Sequence, residues 1–269
     1  MTQTITLIGC GRMGGAMLRG WLNSAIDARY IVIEPYGKPD FLDQYDNTLY
    51  APRAEDIADD ITKSNLIILA VKPQVMADIC AALKPLITAQ CQIASVAAGQ
   101  SIANFENYFS AAQPITRIMP NTPAAIGKGM SGAVSNAHVN EAQKSLITAL
   151  LECSGKVEWF TEETLMNAVT AVSGSGPAYI FHLIEAMASA GEKLGLSTDQ
   201  SMALARQTVI GAAALADSEA STPAATLREN VTSPNGTTAA ALDVLMDGRM
   251  QKIFDEALKA ARDRGVELS

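Results

Sequence analysis

Three glycines near the start of the chain carry the clearest chemical signature. Gly9, Gly11 and Gly14 follow the apolar, β-branched segment 4–8 (TITLI) at the spacing G-x-G-x-x-G. In that context the first glycine permits a tight turn, the second lets the backbone approach a pyrophosphate, and the third lets a helix pack on the strand. N–H groups at the start of that helix would bind the anion. The pattern predicts a dinucleotide site, and a glycine-rich turn without a ligand is the alternative.

An acidic residue stands where a nucleotide sugar would meet it. Glu34 ends a second apolar segment, residues 30–33, about 20 residues after Gly14. A carboxylate there is expected to bind the adenosine ribose hydroxyls of NADH and to repel the 2′-phosphate of NADPH. Lys38 and Arg12 are close enough in sequence to offset that charge, so the sequence allows both NADH and NADPH. A solvated residue at a strand end is the alternative.

A third apolar segment, residues 66–70, ends at Val71 and Lys72. Because open α/β sheets bind ligands at the carboxyl ends of their strands, Lys72 is expected at the ligand edge, with an ordinary surface lysine as the alternative. The residues expected at the cofactor from these three segments are Gly9, Gly11, Arg12, Met13, Gly14, Glu34, Ala70, Val71 and Lys72.

The elements that would position these residues alternate between strand and helix. Further strands are expected at 92–96, 115–119 and 156–160, with helices such as 74–83 and 140–150 between them. Such alternation predicts the Rossmann-like α/β class, in which helices cover both faces of a mostly parallel sheet.

After residue 160 no segment has a convincing strand pattern. Helices are expected at 177–194, 201–215 and 247–264, and the alanine-rich second one predicts close helix packing and a subunit interface. The change of pattern predicts a dinucleotide-binding domain at 1–160 and a helical domain for substrate binding and dimerisation at 161–269. One large domain is the alternative.

Composition narrows the classes of function. A formal net charge of -8 argues against nucleic acid or an anionic membrane as partner. No apolar run is long enough to span a bilayer, and no basic leader precedes an apolar stretch. The 4 cysteines are scattered without metal-binding or redox spacing, which fits reduced thiols in the cytoplasm and predicts no metal site. With only 2 histidines, any catalysis must rest mainly on positioning and electrostatics.

Four motifs follow one another along the chain between residues 70 and 238: AVKPQ at 70–74, RIMPNTP at 117–123, SGSGPAY at 173–179 and VTSPNGTT at 231–238. Together they resemble the signatures of pyrroline-5-carboxylate reductases. The resemblance implies the last step of proline biosynthesis: NADPH or NADH gives a hydride to the C=N carbon of 1-pyrroline-5-carboxylate, forming L-proline. It also implies a dinucleotide domain followed by a helical domain that forms a homodimer, with a higher ring of dimers in some members.

The resemblance further implies roles for individual residues. It places these beside the cofactor: Lys72, Pro73, Ala97 and Asn230. It places these around the substrate: Glu163, Ser233, Gly236, Thr237 and Thr238. N–H groups of the 233–238 turn would hold the substrate carboxylate, and Thr238 is the candidate catalytic residue, orienting the ring nitrogen. The usual Ser-Pro-Gly-Gly is altered by Asn235, a residue that tolerates left-handed backbone, so the turn itself is expected to survive.

The same residues are also compatible with plainer structural roles. The 231–238 segment fits a Ser-Pro turn in which Thr237 or Thr238 caps a helix, and Glu163 fits an acid in a first helical turn. His182 is expected to be a packed core or interface residue. The competing functions are a reductase of another cyclic imine or a small 3-hydroxy acid, and a nucleotide-binding sensor without catalysis. Hydroxyacid dehydrogenases are expected to have a lysine in the helix that follows the position of Pro177. This chain has no evident counterpart of that lysine, which argues against a 3-hydroxy acid substrate.

Overall fold

The structure, a computed structural model, describes residues 2–268 and contains one eight-stranded sheet. In chain order the strands are β1 (Gln3–Ile8), β2 (Ala28–Ile33), β3 (Thr48–Ala51), β4 (Leu66–Leu69), β5 (Gln92–Ser95), β6 (Ile115–Met119), β7 (Gly129–Ser135) and β8 (Gly155–Trp159). Their order across the sheet is β3-β2-β1-β4-β5-β6-β7-β8. Only the β6–β7 pairing is antiparallel, so the predicted, mostly parallel sheet is confirmed.

The direction of winding reverses between β1 and β4. Strand β1 pairs with β2 on one side, Ile8 lying opposite Ile33, and with β4 on the other, Ile8 lying opposite Leu69. Chains leaving the carboxyl ends of β1 and β4 therefore diverge and leave a crevice between them, which is where open α/β sheets bind ligands.

Helices connect most of the strands, and the described chain after β8 has helices and turns but no further strand. They are α1 (Arg12–Leu22), α2 (Ala58–Ile61), α3 (Met76–Leu83), α4 (Ile102–Tyr108), α5 (Glu141–Glu152), α6 (Met166–Val169), α7 (Gly176–Lys193), α8 (Thr198–Ser218), α9 (Ala224–Asn230), α10 (Thr237–Leu245) and α11 (Arg249–Glu267). A single π-helical segment, Thr170–Gly174, precedes α7. Within residues 2–268, no helix has the length and hydropathy that crossing a bilayer requires.

Both faces of the sheet are buried. Along β2, Ile31 and Ile33 enter one apolar core while Tyr30 and Val32 enter the other, as expected when side chains alternate across a strand. On the second face the indole of Trp21 stacks on Tyr30 with ring centroids 6.1 Å apart, and Trp21 Nε1 donates to the Leu150 carbonyl at 2.9 Å. These contacts fix α1 and α5 on the same face of the sheet.

The chain divides into two compact units. The first unit runs to Ser175 and also includes the C-terminal stretch from Ala261, whereas the second covers residues 176–260. The last strand ends at Trp159, and the first unit continues to Ser175 because α6 and the π-helical segment pack against β7. The domain boundary at 160 stays a prediction. In the first unit the C-terminal stretch lies against Gly99, where an added Cβ would come within 2.6 Å of the Leu268 carbonyl oxygen.

Every regular element of the second unit is a helix, as its sequence predicts. Helices α7 and α8 pack through small side chains: Ala188, Ser201 and Ala205 are buried, and a Cβ added at Gly191 would lie 2.9 Å from Ser201 Oγ. The predicted close approach of helices is therefore confirmed for this pair. Large apolar side chains of the unit, such as Phe181, remain exposed in the single chain.

Candidate active site

The glycine loop has the geometry its spacing predicts. Gly9 adopts φ +92°, and its N–H donates to the Ile33 carbonyl at 2.8 Å. A Cβ at Gly9 would lie 2.7 Å from the Ala70 carbonyl oxygen, and a Cβ at Gly14 would lie 2.2 Å from the Gly9 carbonyl oxygen. At Gly11 an added Cβ would meet nothing within 4 Å. Gly9 and Gly14 thus serve backbone packing, whereas Gly11 faces open space that a ligand can enter.

Helix α1 presents an anion-binding end to that space. Gly11 is its N-cap, no side chain caps it, and its first turn contains no acidic residue. The first N–H groups of a helix have no intrahelical acceptor, so this end favours a negatively charged ligand. Arg12 is exposed at the helix start, whereas the Met13 side chain packs against the core on the Trp21 side of the sheet. The Met13 side chain is therefore partly engaged in that core.

Glu34 is held at the same place by two backbone donors. Its Oε2 accepts from Cys10 N–H at 2.7 Å, and its Oε1 accepts from Tyr36 N–H at 3.1 Å. Burial, reinforced by the Glu34 charge, raises the pKa of the Cys10 thiol to about 11, so this cysteine stays a neutral thiol near neutral pH. The Glu34 carboxylate therefore ties the end of β2 to the glycine loop.

A cavity of about 660 Å³ unites these residues at the carboxyl ends of the strands. The predicted cofactor residues that line it are Gly9, Gly11, Glu34, Ala70, Val71 and Lys72. Its wall does not include Arg12, Met13, Gly14, Pro73 or Ala97. Pro52 and Arg53, which follow β3, line it as well but were not expected from the sequence. The glycine geometry, the uncapped helix and the cavity together fit a dinucleotide.

Glu163 has structural partners in the first unit. Its Oε1 accepts from Ile102 N–H at 2.8 Å, at the start of α4, and lies 3.0 Å from Nη1 of Arg117. Ser101 caps the same helix through its side chain. The carboxylate thus serves α4 and a buried guanidinium, and Glu163 also stands in the first turn of the short 3₁₀ helix Glu163–Leu165, as the plainer alternative expects. Its implied substrate contact stays a prediction.

The 233–238 turn lies in the second unit. Gly236 N–H donates to the Ser233 carbonyl at 3.0 Å, and Asn235 adopts φ +59°, so the expected left-handed conformation is present. Gly236 is the N-cap of α10, and no side chain caps the helix. The alternative in which Thr237 or Thr238 caps it is therefore wrong, because both lie inside its first turn. Their N–H groups lack intrahelical acceptors and suit an anion.

Two other expected residues also lie in the second unit. Asn230 is the last residue of α9 and is exposed. His182 has a side chain that is 82% exposed, and its Nδ1 lies 3.1 Å from Glu185 Oε2. Packing of His182 in the core of its own chain is therefore wrong, and a position at a subunit interface stays a prediction.

Comparison with known proteins assigns the chain to a family. A family model described as pyrroline-5-carboxylate reductase dimerisation matches residues 163–268, and one described as NADP oxidoreductase coenzyme F420-dependent matches residues 4–99. The pyrroline-5-carboxylate reductase of Pseudomonas aeruginosa is 39% identical, across 100% of this chain and 97% of that protein. The chain belongs to the pyrroline-5-carboxylate reductase family. Its members are NAD(P)H-dependent oxidoreductases that catalyse the final step of proline biosynthesis.

Solved pyrroline-5-carboxylate reductases share the entire fold. The enzyme from Coxiella burnetii is 34% identical with a TM-score of 0.91, covering 100% of this chain and 99% of that one. The pyrroline carboxylate reductase of Plasmodium falciparum, solved with NADP bound, is 28% identical with a TM-score of 0.82, covering 99% and 98%. The match of residues 163–268 to the family's dimerisation model supports a homodimer.

Proposed function

We propose that this protein reduces 1-pyrroline-5-carboxylate to L-proline with NADPH or NADH. The observation that carries the proposal is the full-length family match, joined to a cavity in which the glycine loop, Glu34 and Lys72 meet. The competing hypothesis of a 3-hydroxy acid enzyme has weaker support. A 3-hydroxyisobutyrate dehydrogenase of Mycobacterium tuberculosis is only 15% identical with a TM-score of 0.51, a likeness of fold alone.

The first unit would hold the cofactor. Backbone N–H groups at the start of α1 would bind the pyrophosphate, with Gly11 leaving room for its approach. Glu34 would accept hydrogen bonds from the adenosine ribose. Lys72, which follows β4, would lie beside the cofactor. The family resemblance implies the same for Pro73, Ala97 and Asn230. When bound, the reduced nicotinamide supplies the hydride.

The 233–238 turn would hold the imine through its carboxylate. N–H groups of Thr237 and Thr238 open the first turn of α10, and Ser233 and Gly236 shape the bend that precedes them. The Thr238 hydroxyl would hydrogen-bond the ring nitrogen and orient the C=N bond for hydride attack. The implied contact of Glu163 with the substrate belongs to the same hypothesis.

The protonation balance needs no strong acid from the protein. Reduction adds a hydride to the imine carbon and requires one proton on the ring nitrogen. If the substrate binds as the protonated iminium, that proton is already present, and the positive ring is the better hydride acceptor. The side chains then act by positioning and by fixed dipoles, which suits a chain with 2 histidines.

The assembly and location follow the same family. The helical region forms the homodimer, and we propose a higher ring of dimers and a cytoplasmic location as for other enzymes of amino-acid biosynthesis. Sedimentation of the purified protein distinguishes a dimer from a ring of dimers.

A spectrophotometric assay tests the function. Purified protein is mixed with NADPH or NADH, with and without 1-pyrroline-5-carboxylate, and absorbance of the reduced cofactor is followed while proline is identified chemically. We expect cofactor oxidation only with the imine, accompanied by equimolar proline. Oxidation that fails to occur with either cofactor, or occurs without proline, would contradict the proposal.

A further inference from the structure

We propose that Glu34 makes this enzyme prefer NADH over NADPH, by holding a fixed negative charge where the 2′-phosphate of NADPH would lie. The inference rests on the proposed function, since it assumes that the cavity at the glycine loop binds the reductant. The glycine loop by itself accepts either dinucleotide, so a preference between them must come from the residues around it.

The Glu34 carboxylate is not free to move aside. Each of its oxygens accepts from a different backbone N–H, Cys10 at 2.7 Å and Tyr36 at 3.1 Å. Rotating the side chain away from a phosphate would break both hydrogen bonds and leave the donor of the half-buried Cys10 without its partner. Ribose hydroxyls, in contrast, can donate to the lone pairs that these two bonds leave unused.

The cationic side chains that could neutralise a 2′-phosphate either lie away from Glu34 or are paired with another carboxylate. Lys38, expected from the sequence to offset Glu34, forms an ion pair with Asp43 and does not line the cavity. Arg12 does not line it either. Lys72 does, but it follows β4, which lies two strands from β2 and so about 10 Å away across the sheet.

Arg53 is the cation nearest to Glu34 in the order of the sheet. It follows β3, the direct neighbour of β2, and it lines the cavity. Its guanidinium is held by Asp56, with Nη2 2.9 Å from Oδ1 and Nε 3.4 Å from Oδ2. The cavity wall also contains Glu55. In the wild type, the Arg53 charge is therefore already neutralised by Asp56. The Glu34 carboxylate is then the charge that determines whether the ribose site attracts or repels a phosphate.

Dissociation constants test the inference without turnover. NAD⁺ and NADP⁺ are titrated into the purified enzyme by calorimetry, for wild type, Glu34→Gln, Glu34→Ser and the double variant Glu34→Ser/Arg53→Ala. We expect wild type to bind NAD⁺ about tenfold or more tightly than NADP⁺, the scale of like-charge repulsion at a contact. Both single variants should lose that preference, chiefly through tighter NADP⁺ binding. Removing Arg53 as well leaves the Asp56 carboxylate without its counter-ion and should weaken NADP⁺ binding again.

Glu55→Gln is the matched control, since it removes an acid from the same wall without touching the glycine loop. A shift in preference as large as that of Glu34→Gln would overturn the assignment to Glu34. Wild type that binds NADP⁺ more tightly would overturn the inference, while imine-dependent oxidation of NADPH would leave the proposed function standing. Preference for NAD⁺ with no imine reduction would sustain the inference and reject the function.

Discussion

Arg117 and Glu163 form an ion pair, with Nη1 of the arginine 3.0 Å from Oε1 of the glutamate. Arg117 belongs to β6 and is 3% exposed, whereas the Glu163 side chain is 28% exposed. The same glutamate oxygen accepts from Ile102 N–H. One carboxylate therefore joins the middle of strand β6, the start of α4 and the segment that follows the sheet.

The unequal burial of this pair predicts unequal effects of its removal. Glu163→Ala leaves a buried guanidinium without its counter-ion and should lower the free energy of unfolding by about 3 kcal/mol. Arg117→Met leaves a partly solvated carboxylate, so its effect should be smaller. Glu162→Ala removes an exposed neighbouring acid and is the control. Urea unfolding measures all three, and equal losses for Glu162→Ala and Glu163→Ala would contradict a structural ion pair.

Two substitutions in the glycine loop should affect different properties, one the stability of the fold and the other the binding of the cofactor. Gly14→Ala places a Cβ 2.2 Å from a backbone oxygen and should destabilise the fold by about 1–3 kcal/mol. Gly11→Ala meets no atom within 4 Å, so the melting temperature should change little while the affinity for the dinucleotide falls about tenfold or more. Thermal unfolding and calorimetric titration measure the two effects. Unchanged affinity in Gly11→Ala would show that no ligand approaches the loop there.

Asn235 tests whether the turn needs its left-handed residue. Asn235→Ala should destabilise the turn by about 1 kcal/mol, because alanine has the same Cβ but lacks the short polar side chain that makes asparagine more tolerant of φ +59°. Asn235→Gly relieves that strain and should stay within about 1 kcal/mol of wild type. The Michaelis constant for the imine should rise in the alanine variant and stay near wild type in the glycine variant. Identical kinetics in both variants would separate the turn from substrate binding.

Buried thiols give the stability a dependence on alkaline pH. Burial raises the pKa of Cys80 and Cys91 to about 12, above the ordinary value of 9.0. Since the folded state holds these protons more tightly, their contribution is complete below pH 9 and is lost as pH rises towards 12. Above pH 9 each thiol should lower the free energy of unfolding by about 1.4 kcal/mol per pH unit.

The double variant Cys80→Ala/Cys91→Ala isolates that effect. Urea unfolding between pH 8 and about 10.5 should give a shallower decline for the variant than for wild type. The pKa of Tyr30, raised by burial to about 12, contributes equally to both proteins and cancels in the comparison. Parallel declines would show that the two thiols ionise equally well in the folded state.

Local pattern predicted the parts of the fold that local forces determine. Strand β1, the glycine loop and α1 follow from adjacent residues, as do the buried strands β4 and β5. Strands β3 and β7 were not predicted. The first is a four-residue edge strand, and the second, GMSGAVS, has few β-branched residues and is ordered by pairing with β6 and β8. Their stability comes from neighbours distant in sequence.

The candidate site divides in the same way. Glu34 could be predicted because its distance from the glycines is fixed by one strand–helix–strand unit. Arg53 could not, since its place at the cavity depends on the unpredicted β3. The pairing of Arg117 with Glu163 joins residues 46 apart in the chain and leaves no periodic signal. Local spacing therefore identified the cofactor loop, whereas tertiary pairing supplied the partners around it.

We propose that the first unit binds the dinucleotide and that the 233–238 turn binds the imine. Kinetic constants for imine reduction and calorimetric affinity for the dinucleotide, measured together for Thr238→Ala, test it most directly. Thr232→Ala is the control, because the Thr232 hydroxyl donates to the Arg228 carbonyl at 2.7 Å and serves local structure. We predict that Thr238→Ala lowers kcat about 10- to 100-fold with unchanged dinucleotide affinity, while Thr232→Ala keeps kcat near wild type. Wild-type turnover in Thr238→Ala, or an equal loss of dinucleotide affinity, would contradict the proposal that Thr238 acts on the imine.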